Sequence, residues 1–140
     1  MAVVSYTPVA QSADIPAWIA FFLGLYSLAS GVGEMRNPGG WVAMMADFER
    51  SPAARFVTGF ACIAVGAAIY LTCPWRAGDW LAILVNILGG VAVGEGMLIL
   101  AAGDRFVAAA RRLLGNTMGF WAAFSVLFGL AAVIAAVTRL

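Results

Sequence analysis

The chain has 140 residues, 64% of them hydrophobic and 11% charged, against roughly 45–50% and 25% for a soluble domain. A water-soluble fold of this size cannot hide that much apolar surface, because a small domain leaves a large share of its chain exposed. The net charge of +1 comes from eight arginines, with no Lys and no His. This argues against a nucleic-acid surface of clustered cations and removes the commonest metal ligand, haem ligand and general base.

Residues 1 to 15, "MAVVSYTPVAQSADI", lack the positive n-region of a signal peptide. They are expected to form a short leader against the membrane surface. A first membrane-length helix is expected over about residues 16–35, opened by Pro16, whose missing N–H is harmless in a first turn. Near its end Glu34 sits where a helix C-terminus disfavours negative charge. The expected partner is Arg55, so that a Glu34–Arg55 salt bridge would clamp the first span to the second.

The segment "NPGGWVAMMADFERS" then spaces Trp41, Met44, Met45 and Phe48 on one face of a helix. This predicts a surface helix over about 38–50. A second span is expected over 52–73, opened by Ser51-Pro52 and stopped by Pro74. Cys62 and Cys73 are eleven residues apart on this one helix. Helix rise would separate them by about 16 Å, too far for a disulfide, and they read as small apolar fillers.

After the short hairpin "PWRAG" a third span is expected over 79–102, with Asp79 as its cap. Here Asn86, Gly89, Gly90, Val93, Gly94 and Met97 fall within an arc of about 140° at 100° per residue, with Glu95 roughly opposite. Glu95 lies about seven residues, or ~10 Å of rise, from the inner end of the helix. A carboxylate at such depth costs a few kcal/mol unless it is partnered or hydrated. Glu95 and Asn86 are therefore the candidate intramembrane polar residues, offered to two different neighbours, and Glu95 is open to two readings: a proton or cation site, or a structural hydrogen bond. A second surface helix over about 104–114 and a fourth span over 116–138 complete the chain.

These elements give an all-α integral membrane four-helix bundle, one domain over residues 1–140. It is built from two parallel repeats of span, surface helix, span. "SGVGEM" matches "AVGEGM" at an offset of 61 residues, whereas superposing "NPGGWV" on "AAGDRFV" gives an offset of 65 and sets Gly31 on Gly96. Arg36, Arg50, Arg55, Arg105, Arg111 and Arg112 belong to the first and third connections. The positive-inside rule places those connections in the cytoplasm of a bacterial inner membrane, with both termini periplasmic.

Lipid gives helices no hydrophobic reason to associate, so small residues take over. Ser27, Gly31, Gly89, Gly90, Gly94, Ser125 and Gly129 are the candidate packing residues, either within the bundle or toward a partner. The span, the "NPGGW" break, the amphipathic "MMADFERSP" and the next span together resemble small four-helix bacterial inner-membrane proteins. In layout they are also similar to the DoxX-like family over roughly residues 20 to 72. That resemblance implies a bundle working beside other membrane proteins and brings no catalytic residues.

The expected function is that of a non-catalytic structural or accessory subunit. It would sit in the lipid bilayer, packing on other membrane subunits or on copies of itself, with no cofactor or metal and no nucleic acid. The alternative is a small oligomeric ion- or proton-coupled transporter or channel using Glu95.

Overall fold

The computed structural model describes residues 13–140; most of the expected leader lies outside them. Among the described residues there are helices and no strands: α1 Ile15–Arg36, α2 Gly40–Arg50, α3 Pro52–Thr72, α4 Trp80–Leu114 and α5 Met118–Val137. A single 3-10 turn, Gly115–Thr117, precedes α5. Three helical stretches are long and apolar enough to cross a membrane: Ile15–Arg36, Pro52–Thr72, and the 58 residues Trp80–Val137.

Local chemistry sets the starts of these helices. The Asp14 carboxylate accepts from the Ala17 N–H at 3.2 Å, with Pro16 in the first turn. Ser51 Oγ accepts from the Ala54 N–H at 3.2 Å, with Pro52 leading α3. Asp79 accepts from both Leu81 and Ala82 N–H at 3.1 and 3.2 Å. Each side chain satisfies an N–H that the helix itself leaves without a partner.

The expected gap between a third span and a second surface helix is a bend in one helix. α4 runs through 35 residues, and only Ala102 leaves helical geometry, at φ −145° and ψ 37°. The neighbouring Gly103 explains how: a Cβ there would stand 2.8 Å from Cδ of Arg55. The bare glycine lets the arginine cross while the helix continues.

α1 packs along α5, and α3 packs along α4. Both pairs are antiparallel, because Gly24 meets Gly129 while Gly31 meets Ala122, and Gly66 meets Gly89 while Gly59 meets Gly96. The two pairs touch each other chiefly through α1 and α4, and α2 lies across α4 and α3. The buried apolar cluster sits at one end of this junction and contains Ala17, Ala20, Cys73, Leu81, Ala82, Val85 and Ala136. Elsewhere large apolar side chains face outward, among them Phe22, Phe60, Leu71 and Leu127.

Candidate functional site

Polar side chains gather at three levels along the helices. At the end where α1 and α4 begin, Arg139 joins both N-caps. Its guanidinium donates to Asp79 through Nη1 at 2.7 Å and Nη2 at 2.8 Å, and to Asp14 through Nε at 3.0 Å. The hydrogen bonds from Arg139 hold the Asp79 carboxyl well below the usual carboxylate range, helped by the Ala82 and Leu81 N–H groups and working against partial burial. The sequence reading missed this clasp, although Asp14 and Asp79 stand 65 residues apart, the same offset that aligns the two breaks.

A carboxyl whose folded pKa is depressed contributes stability that is fully present above its unfolded pKa and lost as the pH falls through the folded one. The clasp should therefore survive through the ordinary Asp range near 3.9 and open only in stronger acid. Arg139→Ala should remove the clasp at every pH and return the Asp79 titration toward that range, read by the fluorescence of Trp80, which follows Asp79 in sequence. It should also cost roughly 1–3 kcal/mol near neutral pH, the size of hydrogen bonds to charged groups.

At the other end, Glu34 and Arg55 do not form the expected salt bridge. Glu34 is only 5% exposed and accepts from the Gly39 N–H and the Trp41 N–H, both at 2.8 Å. Arg55 donates through Nη1 to the carbonyls of Phe48 at 2.8 Å and Glu49 at 2.7 Å. The physical reason is that both ends of α2 carry backbone groups without helical partners and a dipole of matching sign. The acid therefore binds the start of α2 and the base binds its end. The turn that brings Glu34 to α2 passes through Gly39 at φ +102°, a conformation open to glycine. Glu49 also accepts from Arg111 Nη1 at 2.7 Å, tying α2 to the far end of α4 across an exposed surface.

Midway along α4 the residues expected on one face divide. Asn86 is fully buried, and its Nδ2 donates to the Ala82 carbonyl at 2.9 Å. Its Oδ1 has no partner among the described residues. Gly89 packs on Gly66 and Ile69 of α3, whereas a Cβ at Gly90 or Gly94 would meet nothing within 4 Å. Glu95 is exposed on the outside of α4, and no side-chain hydrogen bond or ion pair among the described residues reaches it. Asn86 and Glu95 thus belong to different sides of the helix and form no joint site.

Ser27, Gly31, Ser125 and Gly129 all lie in the α1–α5 seam. Ser27 Oγ donates to the Ser125 carbonyl and Ser125 Oγ to the Ser27 carbonyl, each at 2.9 Å. Between α1, α4 and α5 lies a cavity of about 110 Å³ with apolar walls that include Leu23, Leu84, Leu88 and Phe128. No group of three or more metal-ligating side chains occurs among the described residues. No protein-family model, curated protein or solved structure matches the chain.

Proposed function

We propose that this is an integral membrane protein that crosses the bilayer four times, once each with α1, α3, the first part of α4, and α5. On this reading it serves as a non-catalytic packing subunit, docking on other membrane proteins or on copies of itself. The observation that carries the reading is the division of labour on each long helix. Glycines, joined by Ser27 and Ser125 in α1 and α5, line the faces in backbone contact, and large apolar side chains lie exposed on the outer surfaces. That is the surface expected of rods packed together in hydrocarbon. The buried Glu34, with Asp14, Asp79, Arg55 and Arg139, is engaged in holding helix ends. Glu95 on the outside of α4 lines no passage within one chain.

Two parallel repeats fit the same arrangement. At an offset of 65, Gly24 and Gly31 of α1 correspond to Gly89 and Gly96 of α4, while their partners Gly129 and Ala122 of α5 correspond to Gly66 and Gly59 of α3 at an offset of 63. A two-fold axis along the membrane normal would exchange the pairs α1–α5 and α4–α3. These contacts favour the 65-residue register over the 61-residue one. The arginine-rich side, with Arg36, Arg50, Arg105, Arg111 and Arg112, then faces the cytoplasm of a bacterial inner membrane, and the Arg139 clasp faces the periplasm.

Purification in mild detergent, followed by reconstitution into vesicles, tests the reading. A packing subunit is recovered in stoichiometric proportion with a larger complex or as a homo-oligomer, and its vesicles stay ion-tight. An ion or proton flux that disappears in Glu95→Gln would replace this reading with a transporter assembled from several copies.

A further inference from the structure

Between the end of α1, the start of α2 and the start of α5 lies a cavity of about 380 Å³. That volume falls within the range of small-molecule sites, roughly 300–1,000 Å³. Met35, Val42, Met118 and Ala122 give it apolar walls, and Glu34 is the one charged residue among those that line it. Gly119 leaves one side open, since a Cβ there would meet nothing within 4 Å.

The other helix pair has a cavity in the corresponding place. It measures about 240 Å³, and its lining includes Arg55, Phe56 and Ile99. At the offset of 65, Ile99 stands where Glu34 does; at the offset of 63, Arg55 and Phe56 stand where Met118 and Gly119 do. The smaller cavity is thus supplied with a cation and an aromatic ring by the chain itself. The larger one has neither, and it has a carboxylate in place of an isoleucine.

Glu34 is only 5% exposed, and among the described residues no cation forms an ion pair with it. Its two oxygens accept one N–H each, from Gly39 and Trp41. A carboxylate offers about four lone-pair positions, so accepting capacity is left over. A buried charge without an opposite charge is costly, and a ligand that brings positive charge together with N–H donors relieves that cost. A hard metal ion would want about six oxygens, whereas a single carboxylate lines this cavity. A quaternary ammonium has no N–H to donate. The apolar walls suit methylene groups, and a primary ammonium on a short hydrocarbon stem meets all of these demands.

We propose that this cavity binds such a primary ammonium, which donates to the remaining lone pairs of Glu34 while its stem lies against Met35, Val42 and Met118 in the space beside Gly119. A free alkylamine and the headgroup of an ethanolamine phospholipid both carry this chemistry. The site is additional to the packing role and does not depend on it.

Calorimetric titration of the purified protein in mild detergent with n-butylammonium tests the site. One ligand should bind per chain. Butyltrimethylammonium, which lacks the N–H donors, and butanol, which lacks the charge, should bind about ten- to hundredfold more weakly, the factor a hydrogen bond to a charged group supplies. Gly119→Phe puts into this cavity the ring that Phe56 puts into the other, and it should abolish binding. Its circular dichroism should match the parent's, since nothing lies within 4 Å of the added Cβ. Glu34→Gln should weaken binding by the same ten- to hundredfold or so, and Gly90→Phe, on the exposed side of α4, should leave it unchanged.

Protein taken from nanodiscs of mixed ethanolamine and choline phospholipid distinguishes the two sources. Ethanolamine lipid retained in native mass spectra, and lost in Gly119→Phe, identifies the headgroup as the occupant; butylammonium binding without retained lipid identifies a free amine. Equal binding of butyltrimethylammonium, or binding that Gly119→Phe leaves intact, would overturn the proposal. So would the absence of both butylammonium binding at millimolar concentration and retained ethanolamine lipid.

Discussion

Gly96→Ala should separate α3 from α4. A methyl group at that position would stand 2.6 Å from the Gly59 carbonyl oxygen, 2.7 Å from the Ile63 side chain and 2.9 Å from the Ile63 nitrogen. Two of these three are backbone atoms, so no rotamer change relieves the overlap and the helices themselves must move. Overpacking of this kind costs typically 1–3 kcal/mol. Here it also breaks a seam in which Gly59 and Gly66 interlock with Gly96 and Gly89, so the expected cost is about 3 kcal/mol.

Gly94→Ala, two residues away on the same helix, provides the internal control. The added methyl meets nothing, and relief of glycine's conformational entropy favours the variant by roughly 0.4–1 kcal/mol. Unfolding by a denaturing detergent, followed by circular dichroism, should order the three proteins as Gly94→Ala at or above the parent and Gly96→Ala far below. Gly31→Ala should repeat the effect in the other pair, because its Cβ would lie 2.8 Å from the Ala122 carbonyl.

Glu34→Ala should release the start of α2. It leaves the Gly39 and Trp41 N–H groups without the carboxylate oxygens that each accept at 2.8 Å. Gly39 is exposed and Trp41 half-buried, so water takes over part of what the carboxylate supplied, and the loss should be about 1–3 kcal/mol in all. Glu34→Gln should fall between, because the amide retains one acceptor while its NH₂ confronts the second N–H. Hydrogen exchange should show the change as fast exchange at Gly39 and Trp41, with the amides of α3 and α5 little altered. Arg55→Ala should loosen the opposite end of α2, and combining it with Glu34→Ala should free the helix altogether.

Those two residues also show how far the sequence could be read. Glu34 and Arg55 are recognisable as polar groups in need of compensation, and opposite charge made them natural partners for each other. The competing partners were backbone groups. The free N–H groups of α2 come five and seven residues after Glu34, and the free carbonyls six and seven residues before Arg55. Matching side-chain charges cannot detect them.

The helix starts at Ser51 and Asp79 were legible because a cap is a contact over two or three residues, whereas the first helix was read from Pro16 and its Asp14 cap was missed. Arg139 was not, because its bond to Asp14 closes 125 residues of chain. Helical spacing separated Glu95 from Asn86 correctly. It could not say that α3 would take Gly89 and leave Gly90 and Gly94 bare, since angles around one helix do not identify the neighbours.

The most direct measurement of the membrane arrangement is labelling of single cysteines by an impermeant thiol reagent, in cells and in inverted vesicles, with Cys62 and Cys73 replaced by alanine. Four crossings require Arg50→Cys and Arg112→Cys to react only in inverted vesicles and Gly78→Cys only in intact cells. Reaction of Arg50→Cys and Arg112→Cys from opposite sides would contradict the four crossings and, with them, the pairing of repeats on which the account rests.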